Sequence, residues 1–215
     1  MRFRTLAVGM FLLVWAADAS AQICLGRPSF SEGPYQASLG ASFTDGAQGF
    51  GGGVALGSDD IFGGAGLDFT NVSDADAWAT SFGVDVGASF MLNPREGIEA
   101  CPVASVIIRS GPDVGEIDTK GVGLRAGGRL GILAAESGNL DVVPTFGLDI
   151  AYDRITAEIG PVETTARDTY VIVRVGVGLI LNDRMGLVPS LGVPLGIDDA
   201  DPEFSIVFAL NFGQR

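Results

Sequence analysis

Ten ionisable side chains stand within otherwise apolar or small-residue stretches: Asp68, Asp85, Glu99, Arg109, Arg125, Arg129, Asp141, Asp149, Asp153 and Arg174. Carboxylates and guanidinium groups drawn out of water must pair, because an unpaired buried charge is very costly. Two kinds of chemistry fit such a set. One is a salt-bridge and hydrogen-bond network that fills a narrow interior, and the other is the polar lining of a conduit. Within the set, Arg125 is expected to meet Asp149. Catalysis finds less support. The chain has no histidine, so no imidazole can move protons near neutral pH and a Ser-His-Asp triad is impossible. Paired carboxylates carry no local motif here, and no phosphate loop, CxxC pair or zinc-ligand spacing occurs. The glycine-rich stretches 49–57 and 63–66 lie in alternating segments and read as sites of close packing or sharp curvature. The expectation is a protein that is not an enzyme and holds no metal or other cofactor.

The elements that must position these charges are strands. Almost everything after residue 34 alternates with period two. In the last segment Phe204, Ile206, Phe208, Leu210 and Phe212 share one face, and Ser205, Val207, Ala209, Asn211 and Gly213 share the other. Val171, Val173, Val175, Val177, Leu179 and Leu181 alternate in the same way with Tyr170, Ile172, Arg174, Gly176, Gly178 and Ile180. The second face decides the class. A soluble sandwich, the alternative that alternation alone leaves open, would carry long polar groups there. Here that face is mostly Gly, Ala and Ser with an occasional Asp or Arg, which suits the crowded interior of a narrow barrel. The first face is aromatic-rich and nearly uncharged, as lipid requires.

Breaks between alternating runs give ten strands, near 35–43, 48–57, 61–70, 77–92, 98–109, 120–136, 139–153, 168–182, 186–197 and 203–213. Eight remain if 48–70 does not form a separate hairpin. The fold class is therefore all-β: an antiparallel, up-and-down transmembrane β-barrel. An even count lets both termini lie on one side, the periplasmic one. The connections at 58–60, 93–97, 137–138 and 182–185 are then short periplasmic turns, and those at 71–76, 110–119 and 154–167 are longer outer loops. Phe43, Phe50, Phe69, Trp78, Tyr152, Tyr170 and Phe204 fall near the outer boundary, and Tyr35, Phe90 and Phe212 near the periplasmic one, as aromatic girdles do.

Arg2 and Arg4, the apolar run 6–17 and the Ala19, Ser20, Ala21 triplet read as a signal peptide, 1–21, cut after Ala21. A periplasmic tail, 22–34, and the barrel, 35–215, would follow. No later stretch is apolar for the ~20 residues that a spanning helix needs. Cys24 lacks the small preceding residue of a lipidated cysteine. Removing Arg2, Arg4 and Asp18 takes the formal charge from −13 to −14, which argues against nucleic acid as a partner. Cys24 precedes the first strand and Cys101 begins the strand after a periplasmic turn. Both fall at one oxidising mouth, where a disulfide would tie the tail to the barrel. Asp74, Asp76, Asp113, Glu116, Asp118, Asp198, Asp199, Asp201 and Glu203 fall in outer connections and read as a solvated surface, with divalent cations as the alternative partner.

With these patterns in hand, residues 35–213 resemble the small outer-membrane barrels of the OmpA transmembrane-domain, OmpX and opacity-type superfamily. The nearest feature is the final strand with Phe204, Ile206, Phe208, Leu210 and Phe212. Members of that superfamily end in such a strand, whose terminal aromatic is read by the barrel-assembly machinery. This chain departs by carrying Gly213, Gln214 and Arg215 after Phe212. The resemblance implies residence in the outer membrane among lipid and lipopolysaccharide, insertion by that machinery, and a monomer. It implies a structural, envelope-integrity or surface-interaction role, with a narrow channel or porin for ions or small solutes as the alternative.

Overall fold

Period-two alternation becomes a closed wall. The computed structural model describes residues 23–30, 33–58, 60–73, 77–111, 117–197 and 200–213; the expected signal peptide, 1–21, lies outside them. The strands are β1 (Tyr35–Thr44), β2 (Ala47–Gly57), β3 (Ile61–Val72), β4 (Ala77–Ala88) with its short continuation β5 (Phe90–Asn93), and β6 (Ile98–Ser110). They continue as β7 (Ile117–Ile132) with the short β8 (Ala135–Ser137), β9 (Leu140–Ile159), β10 (Val162–Leu181), β11 (Met185–Leu195) and β12 (Glu203–Phe212). Leaving aside the short β5 and β8, ten antiparallel strands form the wall, each beside its neighbour in sequence. The β1–β12 ladder closes it, from Tyr35 opposite Phe212 to Phe43 opposite Phe204. The eight-strand alternative falls because 48–70 does form a hairpin, with β2 and β3 paired from Gly57–Phe62 to Ala47–Val72.

Side chains sort by parity. Leu39, Val54, Val84, Val106, Leu124, Leu148, Val175, Leu191 and Phe208 are exposed on the outer surface, while Gln36, Glu99, Asp149 and Asn211 are buried. This distribution is the inverse of a soluble protein and matches a wall that meets hydrocarbon. Aromatic clusters mark both ends. Phe50 lies 5.5 Å from Phe69 and 5.8 Å from Trp78, and Tyr35 lies 5.8 Å from Phe212. Tyr170 corrects the expected girdle: with Val171 outward, parity turns it inward, where it bonds Asp153.

Three segments depart from the expected strands. The run 77–92 breaks at Ser89, whose N–H donates to the Asp60 carbonyl at 2.9 Å. The run 120–136 breaks at Leu133 and Ala134, whose N–H groups go to the carbonyls of Gly97 and Val142, each at 3.0 Å. The third departure is larger. The connection 154–167, expected as a loop, is a paired hairpin, with β9 and β10 in register from Leu140–Leu181 out to Ile159–Val162. Its alternation changes phase. Outward Phe146, Leu148 and Ile150 give way on the same face to Arg154, Thr156 and Glu158, and inward Asp149 and Asp153 give way to Ile155, Ala157 and Ile159. The strands have left the lipid, so the apolar stripe no longer faces outward, and a reading keyed to that stripe stops at Asp153. β10 pairs with β11 only from Val171 onward, so the hairpin stands above that neighbour.

Val175 sits on the lipid side near mid-strand. Val175→Arg should cost about 2–4 kcal/mol of folding stability in lipid vesicles, as for a cation near the bilayer midplane. Urea titration checks this, and an unchanged midpoint would place the residue elsewhere.

Candidate functional site

The lumen holds the polar chemistry, and its first component is the N-terminal segment. After a short 3-10 turn, Ile23–Leu25, the chain runs inside the end of the barrel that carries both termini of the wall. Cys24, Pro28, Ser29 and Phe30 are buried there. The expected disulfide is present: Cys24 is joined to Cys101 on β6. Its two sulfurs are bonded to each other, so the nearby Glu99 carboxylate has no thiolates with which to form a metal site. Glu99 instead accepts the Cys24 N–H at 3.3 Å. Gln36 donates to the Pro28 carbonyl at 3.2 Å and to Asn211 Oδ1 at 2.8 Å, and Asn211 Nδ2 donates to the Ser29 carbonyl. Phe30 stacks on Phe62 with ring centroids 6.4 Å apart. A side chain at Gly57 would strike the Phe30 ring, and one at Gly178 would strike the backbone of Gly26, so these glycines make room for the insert. The expected periplasmic tail is therefore, over 24–30, a plug.

The second component is a charged wall on β6, β7, β9 and β10. Arg109 Nη1 meets Asp153 Oδ1 at 2.6 Å, and the Tyr170 hydroxyl donates to the other oxygen of Asp153, also at 2.6 Å. Arg129 Nη2 and Arg174 Nε converge on Asp149 Oδ2 at 3.0 and 3.1 Å. The expected Arg125–Asp149 contact is not made. Arg125 faces the lumen; the register sets Asp149 opposite Gly127, with Arg125 and Arg129 on either side of it along β7, and it is Arg129 that makes the bond. Across the lumen, β1 to β4 present mainly Gly, Ala and Ser, with Asp68 and Asp85 among them. Asp85 faces Arg27 of the plug electrostatically.

Two expected members lie apart from this wall. Glu99 belongs to the plug anchor. Asp141 lies near the end of β9, opposite Ile180 and Glu136, and does not line the cavity. Of the acidic outer residues, Asp74, Asp76, Asp113, Glu116, Asp198 and Asp199 lie outside the described residues. Asp118 bonds the exposed Lys120 at 2.8 Å. Glu203, expected in a loop, opens β12 and lines the cavity. Sequence reasoning missed Gln36, Asn211, Phe30 and Tyr170. A signal existed for the first two: each is a large polar residue on the small-residue face of a terminal strand, and closure sets them opposite each other.

Between plug and charged wall lies a cavity of about 640 Å³. It reaches from Phe30 at the plugged end toward Thr70 and Glu203 near the other. Such a space can hold water, ions or a small polar solute.

No family model matches the chain, and no curated protein matches it. Solved structures do. The β domain of the Bordetella autotransporter BrkA aligns at 14% identity over 83% of this chain and 99% of that one, with a TM-score of 0.54. Ail, the attachment invasion locus protein of Yersinia pestis, aligns at 9% identity over 82% and 97%, with a TM-score of 0.45. The translocator domain of the Neisseria meningitidis autotransporter NalP aligns at 11% over 83% and 87%, with a TM-score of 0.43. The BrkA likeness bears on the fold alone, and agrees with a closed transmembrane β-barrel.

Asp149 is 4% exposed and serves two guanidinium groups. Asp149→Ala should cost about 3–5 kcal/mol, because it strands buried charge. Asp118→Ala, which breaks only an exposed pair, should cost less than about 1 kcal/mol. Denaturant midpoints of the two variants in one lipid test the contrast, and equal losses would refute it.

Proposed function

We propose that this chain is a plugged outer-membrane barrel whose role is structural or surface-interacting, and whose lumen does not pass solute in the oxidised state. The observation that carries this reading is the covalent plug: segment 24–30 fills one end of the lumen and is held by Cys24–Cys101. A disulfide closing a loop with a sequence separation of 77 adds about 4–5 kcal/mol in the chain-entropy treatment. The even number of wall strands puts both termini on one side, taken as the periplasm, where an oxidising milieu keeps the bond. The β9–β10 hairpin then projects from the cell surface as the candidate for external contacts. Export would use residues 1–21. Insertion would use the β12 strand with Phe204, Ile206, Phe208, Leu210 and Phe212, read by the barrel-assembly machinery. Lipid and lipopolysaccharide surround a monomer.

A second reading, a narrow channel for ions or small solutes, is favoured by the polar cavity beyond the plug. Planar-bilayer recording separates the two. Oxidised protein should show no steady conductance. A Cys101→Ala variant lacking residues 23–33 should show stable steps. Stable steps from the oxidised wild type would overturn the structural reading and leave transport.

A further inference from the structure

Five arginines line the cavity: Arg109 pairs with Asp153, Arg129 and Arg174 share Asp149, Arg27 of the plug lies in the field of Asp85, and the fifth is Arg125. Both Asp153 oxygens are occupied, one by Arg109 and one by Tyr170, and Asp149 already takes two donors. Among the described residues Arg125 makes no hydrogen bond or ion pair, and its Nε is buried without a partner. A guanidinium carries five N–H donors in a fixed fork suited to an oxyanion. Across the lumen, Asp68 leans over Gly51, where any side chain would collide with its carboxylate. Glu203 lies in the field of Asp68, as does Arg125, and neither acid forms an ion pair among the described residues. Apart from Arg27 and Asp85, which face each other at the plug, the cavity thus presents the Arg125 guanidinium facing the Asp68 and Glu203 carboxylates, with glycine, alanine and serine between them.

We infer that this cavity is a binding site for a small zwitterionic solute, its acid group forked by Arg125 and its ammonium group held by Asp68 and Glu203. A simple anion would satisfy Arg125 but meet the field of the two acids. A simple cation would meet the converse. A dipolar solute answers both, in a space of reduced dielectric where each charge-assisted bond strengthens. The cavity, about 640 Å³, is of the size that takes drug-sized ligands and admits a molecule of a few carbons together with water. The site is separate from the question of conduction, since equilibrium binding needs access only from the side opposite the plug.

Titration calorimetry on the full, disulfide-intact protein in detergent tests it. The probes are glycine, β-alanine and γ-aminobutyrate, which step the distance between charges, alongside butyrate and butylammonium as the separate halves. At least one zwitterion should bind about tenfold more tightly than either half, the difference of one added charge-assisted bond. Arg125→Gln should abolish that advantage. Glu203→Gln, at the mouth and away from the paired arginines, should weaken the zwitterion while leaving butyrate unchanged or tighter, and guards against a folding defect in the first variant. No zwitterion exceeding its halves, or an advantage that survives Arg125→Gln, would overturn the inference.

Discussion

In hydrocarbon a backbone N–H or C=O without a partner costs several kcal/mol, so a sheet that spans a bilayer must close on itself. The β1–β12 ladder meets that requirement, and the rest of the molecule depends on it. Closure leaves no free edge within the lipid and fixes one parity around the whole ring. Once Phe204 and Phe43 are opposed on the outside, Gln36 and Asn211 must be opposed on the inside. The same parity sends Arg109, Arg125, Arg129 and Arg174 into the lumen together with Asp149 and Asp153.

A ring of ten strands encloses more space than its inward side chains fill, because so many of them are Gly, Ala and Ser. The structure fills the remainder unevenly. At one end a length of backbone, 24–30, enters, and its polar groups find Gln36, Asn211 and Glu99 as partners. Such satisfaction is necessary, since a buried peptide group without a partner is costly. On one side, charges pair across β6, β7, β9 and β10. Desolvation of each ion is offset only where geometry is good, and the convergence of two arginines on Asp149 shows that offset being met by sharing. The small-residue side stays open, and the cavity lies there.

Beyond the membrane the constraint relaxes. The β9–β10 hairpin continues as paired strands, but its outer face turns polar at Arg154, Thr156 and Glu158 while its inner face turns apolar at Ile155 and Ile159. The change of phase marks the lipid boundary more sharply than any single aromatic does. It is also why 154–167 reads as a loop in the sequence: the apolar stripe changes sides there and no longer faces outward.

Much was legible from the residues alone. Alternation with a lipid-compatible face and a small-residue face determined the barrel and the lumen placement of the arginines, because side-chain direction in a strand has a strict period of two, while the choice of ten strands over eight waited on the β2–β3 hairpin. The position of Cys24 before the first strand and Cys101 after a turn determined that the two cysteines share one end. What only the tertiary structure decided depends on register and on surplus space. The β7–β9 register sets Gly127 opposite Asp149 and leaves Arg125 and Arg129 flanking it equally, and the packed side chains, not the strand pattern, select Arg129. Tyr170 shares the inward parity of Arg174, but that its hydroxyl meets Asp153 depends on how β9 and β10 are paired. The tail enters one end of the lumen because a closed ring leaves a void whose size no single strand encodes. Local pattern states which way a side chain points; which neighbour it meets, and what enters the remaining space, is settled only when every strand has been paired.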